Sequence, residues 1–116
     1  MTLSIITINY NNAQGLLKTL NSVLTQTCTE FEHVIVDGAS TDNAVEIIQQ
    51  YEADAIARGI KVLWVSEKDK GIYNAMNKGI KMASGEYIQI LNSGDCLATD
   101  TVVSEMLSSL KQKASH

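Results

Sequence analysis

Four runs of apolar, largely β-branched residues punctuate the chain: Leu3–Ile8, His33–Val36, Ile60–Val65 and Tyr87–Leu91. Each is nearly continuous rather than alternating, the pattern of strands covered on both faces, and each leads into a segment of helical periodicity. Leu16, Leu20 and Leu24 recur every four residues, with Leu17 and Val23 widening the stripe. Ser40-Thr41-Asp42 offers capping side chains ahead of Val45, Ile48, Tyr51 and Ala55, and Gly59 stands where a helix would stop, which predicts a helix from about Asn43 to Arg58. Ile72, Met76, Ile80 and Ala83, closed by Gly85, mark a third helix, and Val103, Met106, Leu107 and Leu110 a fourth. The order βαβαβαβα predicts an α/β, Rossmann-like parallel sheet with crossover helices. The fourth run reads as a central strand, yet no later strand is available to cover its free edge.

A length of 116 residues suits one domain, taken as 1–110, with 111–116 a polar tail expected to fray. The formal charge of -4 argues against a surface that neutralises many phosphates, so nucleic acid is not an expected partner. No apolar run reaches the roughly 18 residues of a membrane span, and the N-terminus lacks signal-peptide features, so a soluble, cytoplasmic chain is expected. Cys28 and Cys96 match no metal-ligand spacing and are read as reduced. His33, His116, Trp64, Met76, Met82, Lys78 and Lys81 are assigned to packing or to the solvated surface.

The unusual residues fall where such a sheet places its ligands, in the loops at the carboxyl ends of the strands. They are Asn9-Tyr10-Asn11-Asn12, then Asp37 through Asp42, then Ser66 through Gly71, and Asn92-Ser93-Gly94-Asp95. Taken singly, Asp-Gly and Ser-Gly-Asp are ordinary turn formers, but four polar loops on one edge point to a site. No G-x-G-x-x-G follows the first strand and no G-x-x-x-x-G-K-[ST] occurs, which removes the common dinucleotide and phosphate-loop readings. Acids outnumber Lys68 and Lys70 in these loops, so a phosphate-bearing ligand would need a divalent cation, with Asp95 the best placed protein ligand.

Together these segments resemble the nucleotide-binding half of family 2 glycosyltransferases with the GT-A fold. The matching stretches are Ser4 through Asn11, Val34 through Asp42, Glu67 through Gly79, and Gly85-Glu86-Tyr87 through Leu91-Asn92-Ser93-Gly94-Asp95, in family order over residues 3 to 107. The resemblance implies half of a GT-A domain, with four strands in the order 3-2-1-4. It implies that Asn9, Tyr10 and Asn11 pack on the base and ribose of a donor nucleotide, and that Asp37 reads the base. A carboxylate there would accept from uracil N3–H, so the expected donor is a UDP-sugar. Asp69, Lys70 and Ser93 are placed by the resemblance near the nucleotide, and Asp95 at a Mn or Mg ion bridging the diphosphate.

Where many family members carry several acids, this chain keeps only Asp95, which implies weak metal binding until nucleotide arrives. Family catalytic domains are about twice as long, their second half supplying the acceptor surface and the general base of an inverting transfer. The expectation is therefore a truncated, donor-binding half of an inverting glycosyltransferase serving glycan or polysaccharide synthesis. Its acceptor would be a glycan or lipid-linked, with a peripheral place at the inner face of the membrane and self-association through the open sheet edge. The alternative is a non-catalytic nucleotide-binding or interaction module. A sugar-phosphate nucleotidyltransferase would need a Gly-rich, basic loop where Asn9-Tyr10-Asn11-Asn12 stands.

Overall fold

The computed structural model describes residues 2–114, in which strands and helices alternate strictly. In chain order they are β1 (Leu3–Asn9), α1 (Ala13–Leu24), β2 (Glu32–Asp37), α2 (Ala44–Ala57), β3 (Lys61–Ser66), α3 (Ile72–Met82), β4 (Tyr87–Ile90) and α4 (Val102–Ala114). All strand pairs are parallel and the sheet order is β3-β2-β1-β4, as the resemblance implied. Asn9, Asp37 and Ser66 stand side by side across the ends of β1, β2 and β3.

Alternation along the strands explains the continuous apolar runs. Leu3, Ile5 and Ile35 face a large core built with Leu16, Leu20, Val23, Ile48, Tyr51, Val103 and Leu107 from α1, α2 and α4. Ile6, Val34 and Val36 face the opposite way, where α3 alone covers them through Ala75. The sheet is thus sandwiched, but unevenly. Because α3 lies on β1 and β2, among the described residues β4 keeps an open face as well as an open edge. Its apolar run suggested a central strand, whereas Tyr87 and Ile88 each remain 42% exposed.

The contact face of α3 is also rotated from the predicted stripe. Ala75 and Gly79 are buried, while Ile72 and Ile80 stay exposed. A Cβ at Gly79 would stand 2.6 Å from Ile6 Cγ2, so only the smallest residue lets the helix settle this close to the sheet. The helix ends at Met82, before Gly85, whose smallness answers instead to Ser4 Oγ, 2.5 Å from its would-be Cβ. At the C-terminus, α4 continues through Lys111 to Ala114, where fraying was expected; Ser115 and His116 lie outside the described residues.

Two buried polar groups hold the sheet far from its loop edge. Glu32 accepts from Ser4 Oγ at 2.6 Å and from Ser84 Oγ at 2.8 Å, and pairs with Lys61, pinning the turn into β4. Burial pushes its carboxyl up, but the Ser4 and Ser84 hydrogen bonds and the Lys61 charge outweigh that and hold it below the ordinary value. His33, assigned to packing from sequence, is fully enclosed between Thr7 Oγ1 at 2.7 Å and the Tyr51 hydroxyl at 2.6 Å. Burial pushes its imidazole down to about 3.

A pH dependence follows. Below the ordinary histidine value of 6.5 the unfolded chain protonates His33 while the folded chain does not until about 3. Stability is therefore lost as pH falls through this window, by up to about 1.4 kcal/mol per unit, and Glu32 adds to the loss at its acidic end. Melting temperature followed by circular dichroism is expected to fall steadily from pH 7 to pH 4, and His33→Gln to flatten the upper part of that slope.

Candidate functional site

The loop edge of the sheet is organised around one carboxylate. Asp37 Oδ1 accepts from Asn9 Nδ2 at 2.8 Å and Ser40 Oγ at 2.6 Å; Oδ2 accepts from the Ser40 amide at 2.9 Å and Ser66 Oγ at 2.8 Å. Burial pushes this carboxyl up, but hydrogen bonds from Ser40, Asn9 and Ser66 to the charged form more than offset it and hold it below the usual aspartate range. A carboxylate has about four lone-pair positions, and here all are used. Asp37 itself has no exposed surface. Through these bonds it fastens β1, β2 and β3 together.

Its partners extend the network upward. Ser40 Oγ also accepts from the Asn11 amide at 2.9 Å, and Asn11 Oδ1 accepts from the Thr41 amide at 2.7 Å. Both loops pass through left-handed backbone at non-glycine positions, Asn11 with φ 46 and Ala39 with φ 61. Such residues persist only where surrounding contacts impose them. Asn11 therefore spends its carbonyl on loop shape. Asp42 bridges two helix starts, accepting from the Ala13 amide at 3.1 Å and the Ala44 amide at 3.0 Å.

Above this base, Tyr10 stands 63% exposed at the junction of two clefts. One, of about 360 Å³, is walled by Ile8, Asn9, Ile72, Asn92 and Ser93. The other, of about 370 Å³, is walled by Gly38, Ala39 and Lys68. Tyr10, Asp69 and Gly71 line both. The β3–α3 loop that carries Asp69 is held by Lys78, which pairs with Glu67 at 3.1 Å and donates to the Lys68 carbonyl at 3.2 Å. The buried carboxamide oxygens of Asn9 and Asn92 find no protein partner among the described residues.

Of the residues singled out from sequence, Asn9, Tyr10, Asp69 and Ser93 converge on the first cleft, whereas Asn11, Asp37, Lys70 and Asp95 line neither. Asp95 sits on the turn after β4, where Gly94 has φ 99 and Thr19 Oγ1 binds both the Gly94 amide at 2.9 Å and the Asp95 carbonyl at 2.6 Å. The backbone is fixed while the carboxylate is exposed, with no hydrogen bond or ion pair among the described residues. No group of three or more metal-capable side chains occurs there either. That donor set, one free carboxylate, suits a hard cation that draws its other oxygens from a diphosphate and water.

The profile of Glycosyl transferase family 2 matches residues 4–115. The chain belongs to this glycosyltransferase family. An uncharacterized glycosyltransferase of Mycobacterium tuberculosis is 36% identical over 113 residues, spanning 97% of this chain and 41% of the relative. A PGL/p-HBAD biosynthesis glycosyltransferase of Mycobacterium bovis is 36% identical over 94 residues, 81% of this chain and 36% of its own. Among solved structures, S. aureus TarS 1-349 in complex with UDP-GlcNAc superposes with a TM-score of 0.82 at 27% identity, covering 97% of this chain and 32% of that one. The chain thus spans less than half the length of each of these proteins.

Gly38, Ala39, Lys68, Ile72 and Asn92 line the clefts without having been picked from sequence. Gly38 looked like a turn former, and Ile72 like a core position of α3. The signal that could have found them was shared membership of the four strand-end loops, not residue type.

The hub predicts an asymmetric mutational response. Asp37→Asn turns an acceptor into a donor facing groups that themselves donate, and is expected to cost about 3 kcal/mol in urea denaturation. Ser66→Ala removes one of four bonds and is expected to cost about 1 kcal/mol.

Proposed function

We propose that this family 2 domain binds a nucleotide-sugar donor, specifically a UDP-sugar, across the two clefts that meet at Tyr10. The observation that carries the reading is the exposed Tyr10 ring, held on a rigid hydrogen-bonded loop at the carboxyl edge of a parallel sheet. An aromatic face so placed stacks a base, with a gain of about 1–3 kcal/mol. The similarity to TarS, solved with UDP-GlcNAc, supports the same ligand class. Ser93 and Asn9 flank the nucleotide, Asn11 shapes the loop, and Lys70, beside Asp69, supplies positive charge toward the diphosphate.

In this reading Asp95 holds a Mg or Mn ion together with the diphosphate oxygens. When bound, the cation offsets the negative charge that grows on the departing nucleotide. The chain's own acids near the site have other tasks: Asp37 is enclosed, Asp42 caps two helices, and Glu67 is paired with Lys78. The general base of an inverting transfer and the acceptor surface therefore come from outside residues 2–114, and the acceptor is a glycan or a lipid-linked sugar of a polysaccharide pathway. Two unpaired cysteines, Cys28 and Cys96, fit the reducing cytoplasm, and a lipid-linked acceptor would draw the domain to the inner face of the membrane. No helix among the described residues is long and apolar enough to cross a membrane.

The open edge of β4 extends the proposal to self-association, its unpaired N–H and C=O groups flanked by exposed Tyr87 and Ile88. Two copies pairing edge to edge about a two-fold axis would satisfy both edges.

UDP with Mn²⁺ is expected to raise the melting temperature, by the equivalent of about 2.7 kcal/mol at a hundredfold excess over Kd. Asp95→Asn is expected to keep the apo melting temperature and lose the metal-dependent part of UDP affinity in calorimetry, because an amide lacks the charge a hard cation prefers. No response to UDP, GDP or dTDP with metal would refute the donor reading. Light scattering over a concentration series is expected to report growth from monomer to dimer; a constant monomer mass would refute edge pairing.

A further inference from the structure

We infer that Thr19, buried on α1, is a positioning residue for the candidate cation ligand: its hydroxyl sets the turn that presents the Asp95 carboxylate. The inference rests on the donor and cation reading above and names the residue that gives that site its geometry. Asp95 lies beyond the last residue of β4, on a turn whose Gly94 has φ 99, so the sheet alone does not fix it. Something outside the sheet must hold that turn.

A threonine inside a helix commonly returns its proton to the carbonyl four residues back. Thr19 Oγ1 lies 3.1 Å from the Gly15 carbonyl but 2.6 Å from the Asp95 carbonyl, and it accepts from the Gly94 amide at 2.9 Å. A hydroxyl has one proton to give, and the shorter contact places it on Asp95. One oxygen thus grips two consecutive residues of the turn, as donor to one and acceptor from the other. The Gly94 amide has a second acceptor in the Gly15 carbonyl at 3.1 Å, whereas among the described residues the Asp95 carbonyl is reached by Thr19 alone. Thr19 has no exposed surface, so water cannot stand in for its hydroxyl.

Thr19 opens a polar stripe along α1. Ser22 and Gln26 follow three and seven positions later, the spacing of one helix face. Ser22 Oγ accepts from the Leu97 amide at 3.1 Å, and Gln26 donates to the Thr99 carbonyl at 2.7 Å and accepts from the Val103 amide at 3.0 Å. The helix therefore holds the chain after β4 at successive points, with Thr19 nearest the acid and Gln26 furthest from it. Its other end is fixed to the loop that carries Tyr10, where Asn12 accepts from the Gly15 amide at 3.3 Å. A rigid helix thus spaces the proposed base platform from the cation ligand. No group of three or more metal-capable side chains occurs among the described residues, so a misplaced Asp95 has no neighbour to compensate for it. Loss of a bond that orients a metal ligand typically lowers metal affinity about 10- to 100-fold.

Calorimetric titration of the whole chain with UDP, with and without Mn²⁺, separates position from fold. Wild type is expected to bind UDP more tightly with Mn²⁺ than without it. Thr19→Val, which keeps the shape and removes the hydroxyl, is expected to lose about tenfold of the Mn²⁺-supported affinity and to leave metal-free UDP binding unchanged. Thr19→Ser, which restores the hydroxyl, is expected to recover the wild-type ratio of the two affinities. Gln26→Leu, at the far end of the stripe, is expected to lower the melting temperature and yet keep that ratio, which a merely structural role would move alike in both variants. Ser22→Ala, at a half-buried position, is expected to lose about threefold of the same ratio, and it reads the effect even if Thr19→Val does not fold. A full wild-type ratio in both Thr19→Val and Ser22→Ala, no recovery in Thr19→Ser, or an equal loss in Gln26→Leu would overturn the positioning role and leave the donor reading intact. UDP binding by wild type that Mn²⁺ does not strengthen would overturn the cation reading and this role together, whereas no UDP binding at all would overturn the donor reading as well.

Discussion

The Asp37 carboxylate lies under the polar loops with no exposed surface, so water cannot solvate it, and its charge is tolerable only because four hydrogen bonds replace that water. Each donor comes from a segment that must stand in one place for the bond to form: Asn9 at the end of β1, Ser40 in the β2–α2 loop, Ser66 at the end of β3. The demand for satisfaction therefore transmits position from the sheet to the loops. Asn11 and Ala39 hold left-handed backbone because Ser40 and Thr41 are fixed beneath and beside them, and Tyr10 is presented to solvent on the segment so constrained. The result is a preorganised floor, with exposed side chains standing on buried polar geometry.

This arrangement divides labour in a way residue type does not reveal. An aspartate at a strand end in a polar loop has the same sequence signature whether it faces inward or outward. Asp37 faces inward and is structural; Asp95, on an equally polar turn, has its backbone fastened by Thr19 and its carboxylate left free. Asp42 is spent on two helix starts. Asp69 has one fastened oxygen and, among the described residues, a free one beside an aromatic ring.

The architecture was legible because a parallel sheet imposes long-range order on a simple pattern: apolar runs, crossovers and polar loops on one edge. The four strands, the four helices and the loops that hold the clefts follow from it, while the strand order came from the family resemblance. What escaped was set by packing at single atoms. The rotation of α3 depends on Gly79 resting on Ile6, which favours a small-residue contact over the larger apolar stripe. The exposure of β4 depends on which strands α3 covers, not on the apolarity of β4 itself. Lys78 looked like solvated surface and instead clamps the loop that carries Asp69, because its partners, Glu67 and Lys68, lie on the preceding loop rather than at helical spacing from it.

The central place of β1 has a consequence for how the chain is made. β1 is flanked by β2 and β4, and its second neighbour begins at Tyr87, 84 positions after Leu3. At a synthesis rate of about 5–20 residues per second, the first strand waits roughly 4–17 s before β4 emerges to complete its pairing. During that interval β1 can bond only to β2, and an Ile-rich edge stands bare on a nascent protein. The pairing of β1 is complete only once β4 has emerged.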